Sequence, residues 1–408
     1  MYRPRDELTM RLPRRTAVLP TAALLVAAAA CSAPVPQPSA APVAAASLQP
    51  SPVPSPSPTG PRPFTLVASG DVLPHTEIIR QAQADAGGTG YDFGKMLAGI
   101  KPVVADADLA ICHMETVYGA EGGPFTGYPT FKSPPEVARA LRDTGYDSCS
   151  TASNHTLDAG SAGIGRTLAA MDAVGLQHTG SARTEAEAAR PALLTAGGAA
   201  VAQLAYSYDT NGIPLPAGQP WAVNLIDRDR ILADARAARR AGADIVVVSV
   251  HWGTEWQDEP NEQQLTLAKE LTAAQTGGRR DIDLILGTHA HIPQAYEQVN
   301  GTWVVYGMGD QIAGDMYNHS GALDPRGNQS SIARFAFTPP SGPNQPWTVS
   351  KAEFIPQLMD LGTPYRVLNL NEALRRNPGN AAWAKALEHI RAVVLSRSGA
   401  AAGLTMGS

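Results

Sequence analysis

Short apolar runs alternate along the chain with stretches in which apolar residues recur every three or four positions, the pattern of an α/β protein. Phe64-Thr-Leu-Val-Ala-Ser reads as a strand ended by Gly70-Asp71, and a helix follows from Glu77 to Asp85. Tyr91 to Ala105 is mixed and partly helical, and Asp108-Leu-Ala-Ile-Cys is a second strand leading into His113-Met-Glu115. Residues 118–133 are rich in Gly and aromatics, a long loop of the kind that covers a site. Pro135 to Thr144 is a helix with Val137 and Leu141 on one side; Tyr146-Asp-Ser-Cys-Ser-Thr is a third strand, and a helix from Gly163 to Val174 closes the unit. Ala192 to Thr195 and Ala200 to Tyr206 pair about Gly197-Gly198, and Asp227 to Ala241 is a helix with a solvated charged face. The β-branched run Asp244-Ile-Val-Val-Val-Ser-Val implies a strand buried on both faces, delivering His251-Trp-Gly253-Thr-Glu255. After a helix from Glu262 to Thr276 and a strand near Ile285, a hairpin turns at Asn300-Gly301. Ile332 to Phe337 and Trp347 to Phe354 are further strands, Asn371 to Arg397 is helical with a break at Pro378-Gly379, and the last residues are expected to fray.

The segment from Ile282 to Pro293 organises the chemistry. Its apolar run reads as a buried strand, Gly287 ends it, and His289 and His291 follow two positions apart. If the chain stays extended there, both rings share one face. Neighbouring imidazoles in an apolar setting repel when charged, so the pair suits neutral rings sharing a metal ion. His-x-His alone is a weak signal, equally met by ordinary hydrogen-bonded histidines. Four other strand-like runs, however, also end in ligand types: Asp71, Glu115, Asn154 with His155, and His251. Ligands of open α/β sheets bind where the carboxyl ends of strands open into loops. Taken singly, Asp71 serves as a cap, Asn154 as a left-handed loop residue, and His251 as a hydrogen-bond donor beneath Trp252. Five strand ends all offering oxygen or imidazole resist that explanation.

Carboxylate, amide oxygen and imidazole together suit Mn, Fe, Zn or Mg, and no thiolate is needed. Seven candidates exceed what one ion takes while keeping an open position. Two divalent ions about 3.5–4 Å apart, bridged by a carboxylate, would use them all. Asn154 would contribute a neutral oxygen, and His155 would protonate a leaving group.

Gly70-Asp71, His113-Met-Glu115-Thr116, Ser153-Asn154-His155 with Asp158-Ala-Gly160, His251-Trp-Gly253-Thr-Glu255 and His289-Ala-His291 with Gly307-Met-Gly309-Asp310 fall in an order and spacing that resembles the CapA family of poly-gamma-glutamate capsule biosynthesis proteins. The resemblance spans about residues 64–313. It implies a four-layer α/β/β/α sandwich of the metallophosphoesterase type, a two-metal site at one end, and export to the cell surface. On that reading Asp71, Glu115, Asn154, His251, His289 and His291 bind metal, with Glu115 as the bridge. Asn154 and His155 are the catalytic pair, and Glu255 and Asp158 orient histidines. His75, four residues after Asp71, is a candidate second residue of the first metal motif. The chain departs from the family in three places. His113 stands where the family usually has Asn, and is either a ligand or a residue behind the ligands. Ser153 also replaces an Asn, and Asp310 stands where the family ends Gly-Asn, altering the charge near the metals. A metal-dependent phosphoesterase is the expected activity. The alternatives are a non-catalytic part of a capsule synthesis or secretion assembly, or an amide hydrolase or transferase on glutamyl polymers.

Composition adds the surroundings. With 408 residues and 44% hydrophobic content the chain buries a large core, divided here as leader 1–31, tether 32–62, an α/β domain 63–360 and a helical tail 361–408. Arg11, Arg14 and Arg15 precede an apolar run from Ala17 to Ala30 and then Cys31, the pattern of an export signal in which Cys31 is lipidated. Met10 is an alternative start. The Pro/Ala/Ser-rich tether has almost no charge and holds the domain away from the membrane. Five arginines and two acids lie in the first 15 residues, so of 32 basic and 37 acidic groups 27 and 35 remain beyond Cys31, a net of −8. No basic stripe interleaved with aromatics is present, and nucleic acid is not an expected partner. The expected partners are the membrane, an envelope polymer and its synthesis proteins. Cys112 and Cys149 pair or remain two buried thiols; their spacing does not decide.

Overall fold

The computed structural model describes residues 60–342 and 345–408. The leader with Cys31, and the tether up to residue 59, lie outside the described residues.

In chain order the strands are β1 (Phe64–Val72), β2 (Leu109–Met114), β3 (Ser148–Ser150), β4 (Gln177–Thr179), β5 (Ala192–Ala196), β6 (Ala199–Ser207), β7 (Ile245–His251), β8 (Gln275–Thr276), β9 (Arg279–Arg280), β10 (Leu284–Thr288), β11 (Tyr296–Val299), β12 (Thr302–Val305), β13 (Asp310–Ile312), β14 (Gln329–Thr338), β15 (Thr348–Asp360), β16 (Arg366–Asn369) and β17 (Leu404–Met406). The helices are α1 (Thr76–Asp85), α2 (Gly94–Leu97), α3 (Lys101–Ala105), α4 (Glu136–Thr144), α5 (Gly160–Val174), α6 (Glu185–Ala188), α7 (Arg228–Arg240), α8 (Glu262–Ala273), α9 (Leu370–Arg376) and α10 (Ala381–Val394).

Two sheets carry the architecture. The first runs β16-β15-β14-β1-β2-β3-β4, with β13 beside the end of β1 and β17 beside β15; the second runs β11-β12-β10-β7-β6-β5. In the first, β1, β2, β3 and β4 are parallel; in the second, β6, β7, β10 and β12 are. Strand alternation explains the layering. Leu66, Ala68, Leu109 and Ile111 of the first sheet meet Val247, Leu284 and Leu286 of the second in one buried core. Their neighbours point the other way: Val67, Ala110 and Ile332 pack under α1, α4 and α5 through Ile78, Leu141 and Met171. On the far side Val246, Val248 and Ile285 pack under α7 and α8 through Ile231, Leu267 and Leu271. Helix layer, sheet, sheet and helix layer make the α/β/β/α sandwich that the sequence leads one to expect. Ile390 and Val394 of α10 reach the core between the sheets.

Several local expectations are corrected. β1 does not end at Gly70-Asp71 but continues to Val72, because Asp71 pairs in parallel with Asp310 of β13. That pairing demands a glycine: a Cβ on Gly70 would lie 1.9 Å from the Gly309 carbonyl oxygen. The His-Ala-His segment is not extended. β10 stops at Thr288, and His289 and His291 take left-handed φ values of 93° and 61°. The final residues are not frayed, since Leu404 pairs with Ala352. Cys112 and Cys149, register partners on β2 and β3, are joined by a disulfide.

Candidate metal centre

Parallel strands bring their carboxyl ends to the same rim of each sheet, and the two rims meet. Asp71 lies near the end of β1, Glu115 follows β2, and Asn154 and His155 sit in the turn after β3. From the second sheet come His251, the last residue of β7, and His289 and His291 after β10. The first sheet therefore presents mostly oxygen and the second mostly imidazole. Asp71, Glu115 and Asp310 are at most 1% exposed, and His113, His251 and His289 at most 3%.

Three groups of donors converge, each with its ligand atoms within 4.8 Å of one another: Asp71, His113 and His251; Glu255, His289 and His291; and Glu115, His291 and Asp310. Asp71 Oδ1 lies 3.5 Å from His113 Nε2 and 3.7 Å from His251 Nδ1, while its Oδ2 accepts the His289 backbone N–H at 3.3 Å. His251 Nε2 is 3.0 Å from Asn154 Oδ1 and 3.9 Å from Glu115 Oε1. His291 Nδ1 pairs with Asp310 Oδ1 at 3.0 Å, and its Nε2 is 3.8 Å from Glu255, a carboxylate at the more open side.

His155 and His75 stand outside the three groups. His155 Nδ1 is held by Asp158 Oδ2 at 2.7 Å, and the same oxygen accepts the Phe131 N–H at 2.7 Å. His75 Nδ1 accepts the Gly314 N–H at 3.1 Å, and burial pushes that ring down to about 4. Ser153, the second departure from the expected pattern, donates its hydroxyl to the Glu115 carbonyl at 2.5 Å.

Sequence reading missed the residues that brace the donors. Thr288 lies 3.0 Å from His251 Nδ1, and Ser150 lies 2.7 Å from His113 Nδ1. The Tyr208 ring packs on His289 with centroids 4.4 Å apart, and Asn211 accepts from the Asn154 amide at 3.2 Å. Little in the sequence marked them, since Ser, Thr and Tyr are common and the rings that Ser150 and Thr288 brace lie 37 positions away on other strands.

Burial sets the electrostatics of most of these groups. Burial, with Asp310 nearby, pushes Asp71 up to about 8; Glu115 is driven well above the usual carboxylate range by burial and by Asp71. Burial pushes His113 down to about 3, and burial plus neighbouring imidazoles depress His251 and His289. Burial would lower His291 as well, but the Asp310 carboxylate outweighs it and the ring is raised. Asp71 Oδ1, His113 Nε2, both Glu115 oxygens, His289 Nδ1 and Asp310 Oδ2 are buried without a hydrogen-bond partner in the protein. Orphaned buried polar atoms are costly, and here they are lone-pair donors aimed at common points. Divalent cations fit this set.

A family profile described as the bacterial capsule synthesis protein PGA_cap matches residues 65–315. A probable polyglutamine synthesis accessory protein of Mycobacterium tuberculosis is 27% identical over 271 residues, covering 62% of this chain and 67% of that protein. The PGA biosynthesis protein CapA of Bacillus subtilis is 28% identical over 178 residues, 43% of this chain and 45% of that one. Among solved structures, a 5'-nucleotidase precursor from Thermus thermophilus aligns over 80% of this chain and 59% of its own, with 15% identity and a TM-score of 0.42. The calcineurin-like phosphoesterase YfkN of Bacillus subtilis aligns over 81% and 100%, with 13% identity and a TM-score of 0.40. The chain thus spans less than half of CapA and less than two thirds of the nucleotidase.

Proposed function

This chain belongs to the PGA_cap family of bacterial capsule synthesis proteins, and from that premise we propose that it is a metal-dependent hydrolase of the phosphoesterase type acting in cell-envelope or poly-gamma-glutamate capsule metabolism. One observation carries the proposal: carboxylate and imidazole donors from five strand ends converge, buried, and on Asp71, His113, Glu115, His289 and Asp310 leave lone pairs unpartnered. Such a set is expensive to maintain unless cations bind it.

Asp71, Glu115, Asn154, His251, His289 and His291 would hold two divalent ions. Glu115, close to His251 and grouped with His291, is placed to be shared. Manganese, iron, zinc or magnesium bound there would polarise a phosphoryl oxygen and lower the pKa of a water nucleophile. His155 is the proton donor to the departing oxygen. Its Nδ1–H is anchored on Asp158, which leaves Nε2 as the atom that would hand over the proton. Glu255, on the more open side, and Asp310 orient His291.

The reading places the protein outside the cytoplasmic membrane, anchored through a lipid on Cys31 or through its leader, with an envelope polymer and its synthesis proteins as partners. The Cys112–Cys149 bridge supports that placement, because disulfides persist in oxidising compartments. No helix among the described residues is long and apolar enough to cross a membrane. A second reading, a non-catalytic accessory component of polymer assembly, is supported by the name of the mycobacterial relatives.

Elemental analysis of the purified protein beside a His289→Ala/His291→Ala variant tests the site. About two ions per chain in the parent, with clear loss in the variant, is the expected result. Glu115→Ala should remain folded and lack metal-dependent turnover of a phosphoester. A parent that takes up no metal after reconstitution with manganese, iron or zinc would leave the accessory reading ahead.

A further inference from the structure

The oxygen-rich sheet sets an imidazole among its buried acids. His113 is the fifth residue of β2, 2% exposed, with its ring stacked on His251 at 4.8 Å between centroids and 26° between planes. Its two nitrogens have opposite fates. Nδ1 lies 2.7 Å from Ser150 Oγ, while that hydroxyl donates onward to the Cys112 carbonyl at 3.4 Å. With the serine proton so directed, Nδ1 carries the ring hydrogen and Nε2 carries the lone pair. That lone pair faces Asp71 Oδ1 at 3.5 Å, and neither atom has a hydrogen-bond partner. Two lone pairs turned on each other in a buried site repel. In the other tautomer the Nε2–H would turn toward the Asp71 carboxylate yet form no hydrogen bond with it at 3.5 Å, leaving both groups buried and unsatisfied.

We propose that His113 is a metal ligand, its Nε2 sharing one cation with Asp71 and His251, so that this chain holds one of its ions with an imidazole from the oxygen-rich sheet. The proposal rests on the metal-centre reading above. Spacing agrees with it. Donors about 2.0–2.1 Å from a tetrahedral ion stand about 3.4 Å apart, close to the 3.5 Å that separates Asp71 Oδ1 from His113 Nε2. The ring is also built for the task. Ser150 fixes its tautomer, and the Cys112–Cys149 disulfide ties the two strands at the residues just before His113 and Ser150. Fixing the far nitrogen of a ligating imidazole is what orients such rings in metal sites. Two nitrogens and one oxygen favour a borderline ion such as zinc or cobalt over magnesium at this position.

Two substitutions separate the nitrogens. An Asn side chain superposes its amide on Nδ1 and a Gln places its amide near Nε2. His113→Asn therefore keeps the Ser150 contact and deletes the proposed ligand, whereas His113→Gln returns a weaker donor to the same place. The chelator-stripped full-length protein and both variants are titrated with cobalt(II), following the visible absorption of the bound ion and its stoichiometry. The expected result is a loss of affinity for one ion of at least about tenfold in His113→Asn, with a changed cobalt spectrum, and an intermediate affinity in His113→Gln. Ser150→Ala should weaken the same ion by a smaller factor. A parent that binds cobalt with His113→Asn matching it in affinity and spectrum overturns the proposal and leaves the metal centre standing. A parent that binds no cobalt, zinc or manganese overturns both.

Discussion

Burial pushes the buried carboxylates of the cluster up and His113, His251 and His289 down, and that has a measurable consequence for the metal-stripped protein. Asp71 is raised to about 8 by burial and by Asp310, against an unfolded value of 3.8. A group raised on folding stabilises below its unfolded value and loses that contribution as pH climbs through the folded one. The depressed histidines oppose this only below their unfolded value of 6.5, where the unfolded chain takes up protons that His113 refuses. Between pH 6.5 and 8, then, the raised carboxylates act without that opposition, joined by His291, whose raised ring loses stability in the same direction. With chelator present, unfolding free energy from denaturant titrations should fall with rising pH across that window, by up to about 1.4 kcal/mol per unit for each such group. Zinc or manganese should flatten the slope; an unchanged slope would contradict the view that cations neutralise these carboxylates. Much of this chemistry was legible residue by residue, since Asp71, Glu115, His251 and His289 are rare types at strand ends. Ser150, Thr288 and Tyr208 were not, because common residues reveal a bracing role only when a distant strand arrives beside them.

Among the elements, apolar period and length identified nearly every long helix and strand, and failed where pairing rather than pattern makes the strand. β13 is three residues, Asp310-Gln-Ile312, with no apolar run; it exists because β1 lies alongside it. The left-handed φ values of His289 and His291 were likewise invisible, and extended geometry was the wrong expectation for them. Gly70 couples these elements to the chemistry. A methyl group there would collide with the Gly309 carbonyl, and Asp71 and Asp310 are the next residues on each side. Gly70→Ala should cost about 1–3 kcal/mol or more by overpacking and also weaken metal binding, because β1 and β13 must part. Melting temperature and metal content measured together check this; a destabilised variant with undiminished metal content would show that the crossing does not set the site.

For the whole molecule, alternation along single strands accounts for the three main cores and the four layers, whereas the sandwich itself was anticipated from the family resemblance. What sequence left open was the covalent tie between β2 and β3. The bridge closes a loop of 37 residues, so replacing both cysteines by alanine should cost about 2–4 kcal/mol, read as a lower denaturant midpoint; no shift would mean the bond does not form in the purified protein.

The division of donors between the sheets bears on when a cation can be captured. Asp71 and the His289 amide that touches it are 218 positions apart, and neither sheet alone offers a balanced set of oxygen and nitrogen. A chain folded only as far as β6 holds acids with His113 and His155 but none of the second sheet's three histidines. Ion capture is therefore a late event, following the docking of one sheet on the other. In a refolding experiment with cobalt present, the rise of colour would act as a clock for that docking, trailing the recovery of secondary structure.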